Sequence, residues 1–240
     1  MYLNCHSFFS FKYGTLSPED LLLQASAFGI PCLALTDINN TSGIADFVRL
    51  APVHGIKPIA GIDFRNGNTQ QFVGLAKNNE GFFELNNLLT HHLHEGSPVP
   101  ARAPEMAHVF VVYPLHNAPR AATLRHYEYV GVRPHEAGRL RFSEWARHPH
   151  KLVMLAPVTF RDKAGFNTHR LLRAMDHNTL LSKLDAAEQA LPNEVMQPLP
   201  VLQHIYEALP GIVRNTQQLM EQCSIDLAFG KNKNKTCFTG

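Results

Sequence analysis

Leu3-Asn4-Cys5-His6-Ser7, Leu35-Thr36-Asp37-Ile38-Asn39-Asn40 and Gly55-Ile56-Lys57-Pro58-Ile59-Ala60-Gly61-Ile62-Asp63 decide how this chain folds. In each, a short apolar run of strand length ends in polar residues, and a helical pattern separates one run from the next. That is the sequence form of a βαβα unit, whose chemistry collects where the strands end. Candidate functional residues are therefore sought at those ends.

Working outward, Ser17-Pro18-Glu19-Asp20 supplies an N-cap, a proline in the first turn and acidic residues facing the helix dipole. Leu21, Leu22, Ala25 and Phe28 then fall on one helical face, and Gly29 is placed to end the helix in the left-handed conformation. Residues 31–36 form a strand apolar enough to be covered on both faces. Thr41-Ser42 reads as the cap of a second helix carrying Ile44, Phe47, Val48 and Ala51, with Pro52 kinking its end and Gly55 closing it. After a third strand over 57–64, Asn66-Gly67 signals a hairpin into residues 70–76, an antiparallel excursion in a parallel pattern.

Residues 78–93 read as a helix with Phe82, Leu85, Leu88 and Leu89 inward, and 95–104 as a proline-rich surface loop. Strand-like runs recur at 109–113, 129–132 and 152–155, so six or seven strands are expected between residues 2 and 160. A closed or nearly closed β/α barrel is the economical architecture. Beyond Phe160 the pattern becomes helical, with segments expected at 164–175, 180–190, 199–209 and 211–223. The expected organisation is a barrel core over 1–160, a helical segment completing or flanking it over 161–228, and a loop over 229–240 leading towards a further region of a longer chain.

Composition narrows the function classes. With 240 residues, 45% of them apolar, the chain can bury a sizeable α/β core. A net charge of +2, without a dense Lys/Arg run, does not mark a nucleic-acid binder. Cys5, Cys32, Cys223 and Cys237 show no CxxC spacing, and neither a signal-peptide pattern nor a long apolar run is present. A reduced, cytoplasmic chain that does not enter a membrane is expected. No Gly-rich phosphate loop, Ser-His-Asp order or palm-type set of aspartates appears.

With these residues in view, the sequence resembles the PHP (polymerase and histidinol phosphatase) domain at the N-terminus of bacterial replicative DNA polymerase III α subunits. LNCHSFFS looks like the family's H-x-H-S-x-x-S opening, LALTDINN like L-A-L-T-D-H-x-N, and GIKPIAGIDF like G-I-K-P-I-x-G-x-E. GLAKNNEGFFELNNLLT and HRLLRAMDHNTLLSKL are similar to two further family segments, in the same order. The resemblance implies an α/β fold of the distorted (β/α)7 type, followed by a helical C-terminal segment.

Family members with a working site bind up to three metal ions at the carboxyl ends of the strands through His, Asp and Glu, for phosphoester chemistry. The resemblance places nine positions of this chain at that site: Asn4, His6, Tyr13, Asp37, Ile38, Asp63, Gln71, Pro157 and Thr159. Asn4 stands at a histidine position, Tyr13 at an acid or histidine, Ile38 at a histidine, Gln71 at a histidine, and Pro157 and Thr159 at the ends of an Asp-x-His motif. Only His6 and Asp63 carry over as metal donors, with Asp37 nearby, and two or three donors hold an ion weakly. A residual Zn2+ or Mn2+ on His6 and Asp63 stands against a second reading, in which His6 is a buried histidine bonded to Asp37 or Asp63.

Three functions follow from the resemblance. The first is the PHP domain of a replicative polymerase α subunit, metal-poor and structural, packed on the rest of the subunit and offering a surface to the proofreading exonuclease subunit. Its parent would meet DNA and use Mg2+ on aspartates outside this segment. The second is a metal-dependent phosphoesterase, acting as a 3'-5' exonuclease or a pyrophosphatase. The third is a stand-alone α/β binding protein. Arg161, Lys163, Arg170, Arg173 and Lys183 are a candidate basic face, and His91, His92 and His94 a candidate metal patch, each set against an ordinary solvated surface.

Overall fold

A computed structural model describes residues 1–231. Eight strands form one sheet: β1 (Tyr2–Cys5), β2 (Cys32–Leu35), β3 (Lys57–Asn66), β4 (Thr69–Ala76), β5 (Val109–Pro114), β6 (Glu128–Val132), β7 (Leu152–Met154) and β8 (Pro157–Val158). Their spatial order is β7-β6-β5-β4-β3-β2-β1-β8. The two edge strands are thus joined through Leu155 and Ala156 alone, so the sheet curls until its ends become neighbours in the chain. β4 runs antiparallel to β3 and β5, and the other pairings are parallel. The eighth strand arises because the run at 152–155 breaks at Ala156, and Pro157, unable to donate a ladder bond, opens an edge strand beside β1.

Helix α1 (Pro18–Ala27) starts where the capping pattern places it. Ser17 Oγ accepts from Asp20 N at 2.9 Å, Asp20 Oδ2 accepts from Ser17 N at 3.3 Å, and Leu21, Leu22 and Ala25 are buried against the sheet. Gly29 follows at φ +67°, and Gly67 turns the β3–β4 hairpin at φ +57°. Helix α2 (Ile44–Leu50) departs from expectation at both ends. Gly43 is its N-cap, without a side-chain cap bond; Asn40 Oδ1 instead accepts from Ser42 N at 2.7 Å, and Thr41 Oγ1 donates to Asn86. Pro52 does not kink the helix; it sits in a 3-10 turn, Ala51–His54, that replaces the last turn.

α3 (Asn79–Glu95) packs Leu85 and Leu89 on the sheet. The 95–104 loop is not confined to the surface: Val99 and Ala103 are buried, Asn66 pairs with both backbone groups of Val99, and Ala103 N donates to the Tyr113 hydroxyl. α4 (Lys163–Asp176), α5 (Leu199–Ile205) and α6 (Pro210–Glu221) follow the strands. The helix expected over 180–190 is absent. Two 3-10 turns, Leu181–Lys183 and Ala186–Glu188, take its place. Asp185 caps Ala187 N locally, and the chain is drawn across the barrel end by Thr159 N donating to Glu194 O at 2.9 Å. The expected loop over 229–240 lies, from residue 232 onward, outside the described residues, as does Cys237.

Candidate functional site

Asp63 lies near the end of β3 and is completely buried. Its Oδ2 accepts from Arg65 Nε at 3.0 Å, Arg65 Nη2 at 2.7 Å and His6 Nε2 at 2.9 Å, with Asn4 Nδ2 further off at 3.5 Å. Its Oδ1 accepts from Gln70 Nε2 at 3.0 Å, and Gln70 Oε1 accepts in turn from Arg133 Nη2 at 3.2 Å. Burial alone would raise this carboxyl, but the Arg65 guanidinium and the His6 contact outweigh it and hold Asp63 well below the usual carboxylate range.

The arrangement follows from strand geometry. Asp63 and Arg65 are two apart on β3 and so share a face. The ladder slips between Phe64 and Arg65: Phe64 pairs with Phe72 and Arg65 with Gln70, leaving Gln71 without a ladder partner. This bulge sends Gln70 to Asp63, while Gln71 donates to Thr69 O. Asn39, with a left-handed φ of 46°, locks the backbone of Arg65 by accepting from its N–H at 3.0 Å and donating to its carbonyl at 2.9 Å.

From His6 the network continues to the end of the edge strand β8. His6 Nδ1 lies 3.0 Å from Thr159 Oγ1, which donates to Glu194 Oε2 at 2.7 Å. Thr159 has one proton to give, so the set Asp63-His6-Thr159-Glu194 closes when both ring nitrogens carry hydrogen or when Glu194 is protonated. Asp37 serves a separate purpose. It accepts from Ser7 N at 2.6 Å, Ser7 Oγ at 2.7 Å and Ser10 Oγ at 2.7 Å, pinning the loop after β1. Burial pushes its carboxyl up against those hydrogen bonds.

Tyr13 fills the mouth. Its ring meets His6 and His169 edge-on, at centroid distances of 5.6 and 4.7 Å, and lies 4.8 Å from the Arg65 guanidinium and 5.5 Å from that of Arg173. His169 Nδ1 contacts Tyr13 O at 2.7 Å and its Nε2 accepts from Ala190 N at 2.9 Å, which assigns the neutral Nδ1–H tautomer. Ile38 presents an alkyl side chain beside Tyr13 in a depression of ≈ 290 Å³ that Arg173, His177 and Glu188 also line.

Of the nine positions marked from sequence, Asn4, His6, Tyr13, Asp63 and Thr159 meet around this network, and Ile38 borders it. Asp37 is turned to the loop, Gln71 is displaced by Gln70, and Pro157 pairs with Asn4 in the ladder while lining a ≈ 160 Å³ cavity with Arg133 and Glu194. Sequence reading passed over Arg65, Gln70, Glu194 and His169. Arg65 had a signal, its i+2 spacing from Asp63, and His169 had one in opening the family-like segment HRLLRAMDHNTLLSKL; Glu194 had none.

The basic face is largely compensated: Arg161 pairs with Asp20, Arg170 donates to Gln189, and Arg173 is held by Asp176 and the Glu188 carbonyl. Among the described residues no group of three or more His, Cys, Asp or Glu side chains is placed to hold a metal ion, the 91–94 histidines included. No helix among them is long and apolar enough to cross a membrane.

The PHP domain family matches residues 3–127. A DNA polymerase III subunit alpha from Neisseria meningitidis serogroup A is 23% identical over 273 residues, covering 96% of this chain and 24% of that protein. An error-prone DNA polymerase from Symbiobacterium thermophilum is 40% identical over 90 residues, 38% of this chain and 8% of that protein. The DNA polymerase III subunit alpha of Escherichia coli K12 is 33% identical over 96 residues, with the same two shares. This chain thus spans about a quarter of the length of the Neisseria relative. A solved amidohydrolase from Chromobacterium violaceum aligns at 26% identity over 39% of this chain and 34% of that one, with a TM-score of 0.29. The curled sheet, its strand-end cluster and the match over residues 3–127 lead to one conclusion: the chain belongs to the PHP domain family and is homologous to the N-terminal region of DNA polymerase III α subunits.

Proposed function

We propose that this chain is the PHP domain of a replicative DNA polymerase III α subunit, and that it serves the subunit as a packing and docking domain without phosphoesterase activity of its own. Similarity to a polymerase subunit along 96% of the chain supports the first part. The parent would extend primers with deoxynucleotides in the cytoplasm, using Mg2+ on carboxylates outside this segment. It would meet DNA through those outer regions and present this domain to a proofreading exonuclease subunit.

One observation carries the second part. Asp63 has both oxygens engaged by protein donors, Arg65, His6 and Gln70, at 2.7 to 3.0 Å. A metal ion would have to displace a guanidinium and an imidazole from the one carboxylate that the resemblance carries over. Around it stand an alkyl group at Ile38, an imino acid at Pro157 and a hydroxyl at Thr159 already spent on Glu194. These side chains do not fit a di- or trinuclear centre.

The test is turnover of 3'-recessed DNA and of pyrophosphate by the purified chain in Mn2+ or Zn2+, with metal content measured in parallel. Turnover no greater than that of Asp63→Asn is expected. Stoichiometric metal, with turnover abolished by His6→Ala, would establish the phosphoesterase instead. A native polypeptide ending near residue 240 would remove the polymerase assignment.

A further inference from the structure

We infer that Arg65 is the resident cation of the barrel mouth, a guanidinium that neutralises Asp63 from within the fold and so removes the need for a metal ion there. This rests on the reading of the domain as metal-independent and adds the residue responsible.

Asp63 is completely buried and Arg65 only 6% exposed, so neither charge is supported by bulk water. A carboxylate in such a place must be matched by a cation or give up its charge. Arg65 meets it with two N–H groups on a single oxygen, at 3.0 and 2.7 Å. Three further features hold the guanidinium in place. The Asn39 side chain pairs with both backbone groups of Arg65. The ladder slip between Phe64 and Arg65 pairs Arg65 with Gln70, whose side chain holds the other oxygen of Asp63. Tyr13 offers its ring face 4.8 Å from the guanidinium carbon, so the cation also meets π density. A lysine could supply the charge but not the fork, and it would not stack on Tyr13 in the same way. Gln70 and His6 complete the shell, and Arg133 stands behind Gln70.

The experiment is thermal unfolding of the 240-residue chain and of three variants, Arg65→Met, Arg65→Lys and Arg65→Met combined with Asp63→Asn, each with and without a chelator. Arg65→Met should lower Tm by roughly 6–20 °C, because it leaves a buried carboxylate uncompensated. Arg65→Lys should fall between it and the wild type, and the double variant should recover most of the loss. Failure of Arg65→Met to fold, with folding restored by Asp63→Asn, supports the inference equally. It is overturned if Arg65→Met melts with the wild type, or if the double variant is no better than the single one, since packing rather than charge would then be the cause. A wild-type Tm that falls on chelation would instead sink the metal-independent reading, and is distinguishable because it requires no change at Arg65.

Discussion

Thr159 and Glu194, 35 positions apart, share a buried hydrogen bond of 2.7 Å that ties the residue after the last strand to the segment crossing the barrel end. Through the 3.0 Å contact of Thr159 with His6, that bond also connects the two edges of the polar cluster.

Thr159→Val should therefore leave His6 Nδ1 and Glu194 Oε2 without this partner in a dry site. A loss of about 1–3 kcal/mol is expected in urea unfolding, and Thr159→Ser should restore most of it. A valine variant as stable as the wild type would show that the hydroxyl is not needed.

The pH dependence of His169 follows from its burial. Burial lowers its pKa, with Arg173 acting in the same direction and the Tyr13 carbonyl opposing. Below the unfolded value of about 6.5, the unfolded chain binds the proton more readily than the folded one, so stability is present above that pH and is lost as pH falls. Urea midpoints should drop between about pH 7.5 and 5.5, and His169→Gln should flatten that drop. An unchanged slope in the variant would place the effect elsewhere.

Asp63 makes its contribution in a more acid range. Its folded pKa is depressed, so its stabilisation is complete above the unfolded value of about 3.9 and is lost as pH falls through the folded one. The difference in unfolding free energy between the wild type and Asp63→Asn should shrink as pH is lowered from about 5 to about 3. A difference constant over that interval would contradict the depressed pKa.

Gly61 has a more local role. A Cβ there would lie 2.5 Å from the carbonyl oxygen of Gly74, which is backbone and cannot swing aside. Gly61→Ala should force β3 from β4 two residues before Asp63, at a cost of about 1–3 kcal/mol by overpacking. Circular dichroism melts would measure it, and an unshifted melt would mean that the ladder yields without penalty.

Asp37→Asn should loosen the loop after β1, because three donors converge on its carboxylate and an amide offers a single acceptor oxygen. Faster exchange of the Ser7 amide by NMR, with the β-sheet amides unchanged, is the expected sign. Equal exchange in both proteins would count against Asp37 as the anchor.

By itself the sequence determined the elements whose causes are local: the Ser17–Asp20 cap, the Asn66-Gly67 hairpin, and the first three strands to within one or two residues of their ends, and hence the placement of His6 and Asp63 at or near those ends. Hydrophobic period, caps and turn residues act over a few positions and can be read in order. The tertiary structure alone decided what those side chains touch. A one-residue slip opposite Gln71 selected Gln70 over its neighbour, and Glu194 arrived across the fold because a segment patterned as helix gave way to turns. The i+2 spacing put Arg65 on the face of Asp63, and Tyr13 and Asn39 enclose it there. Spacing can put two side chains on one face of a strand, but the pairing of buried charge depends on which groups the fold brings into a shared low-dielectric space.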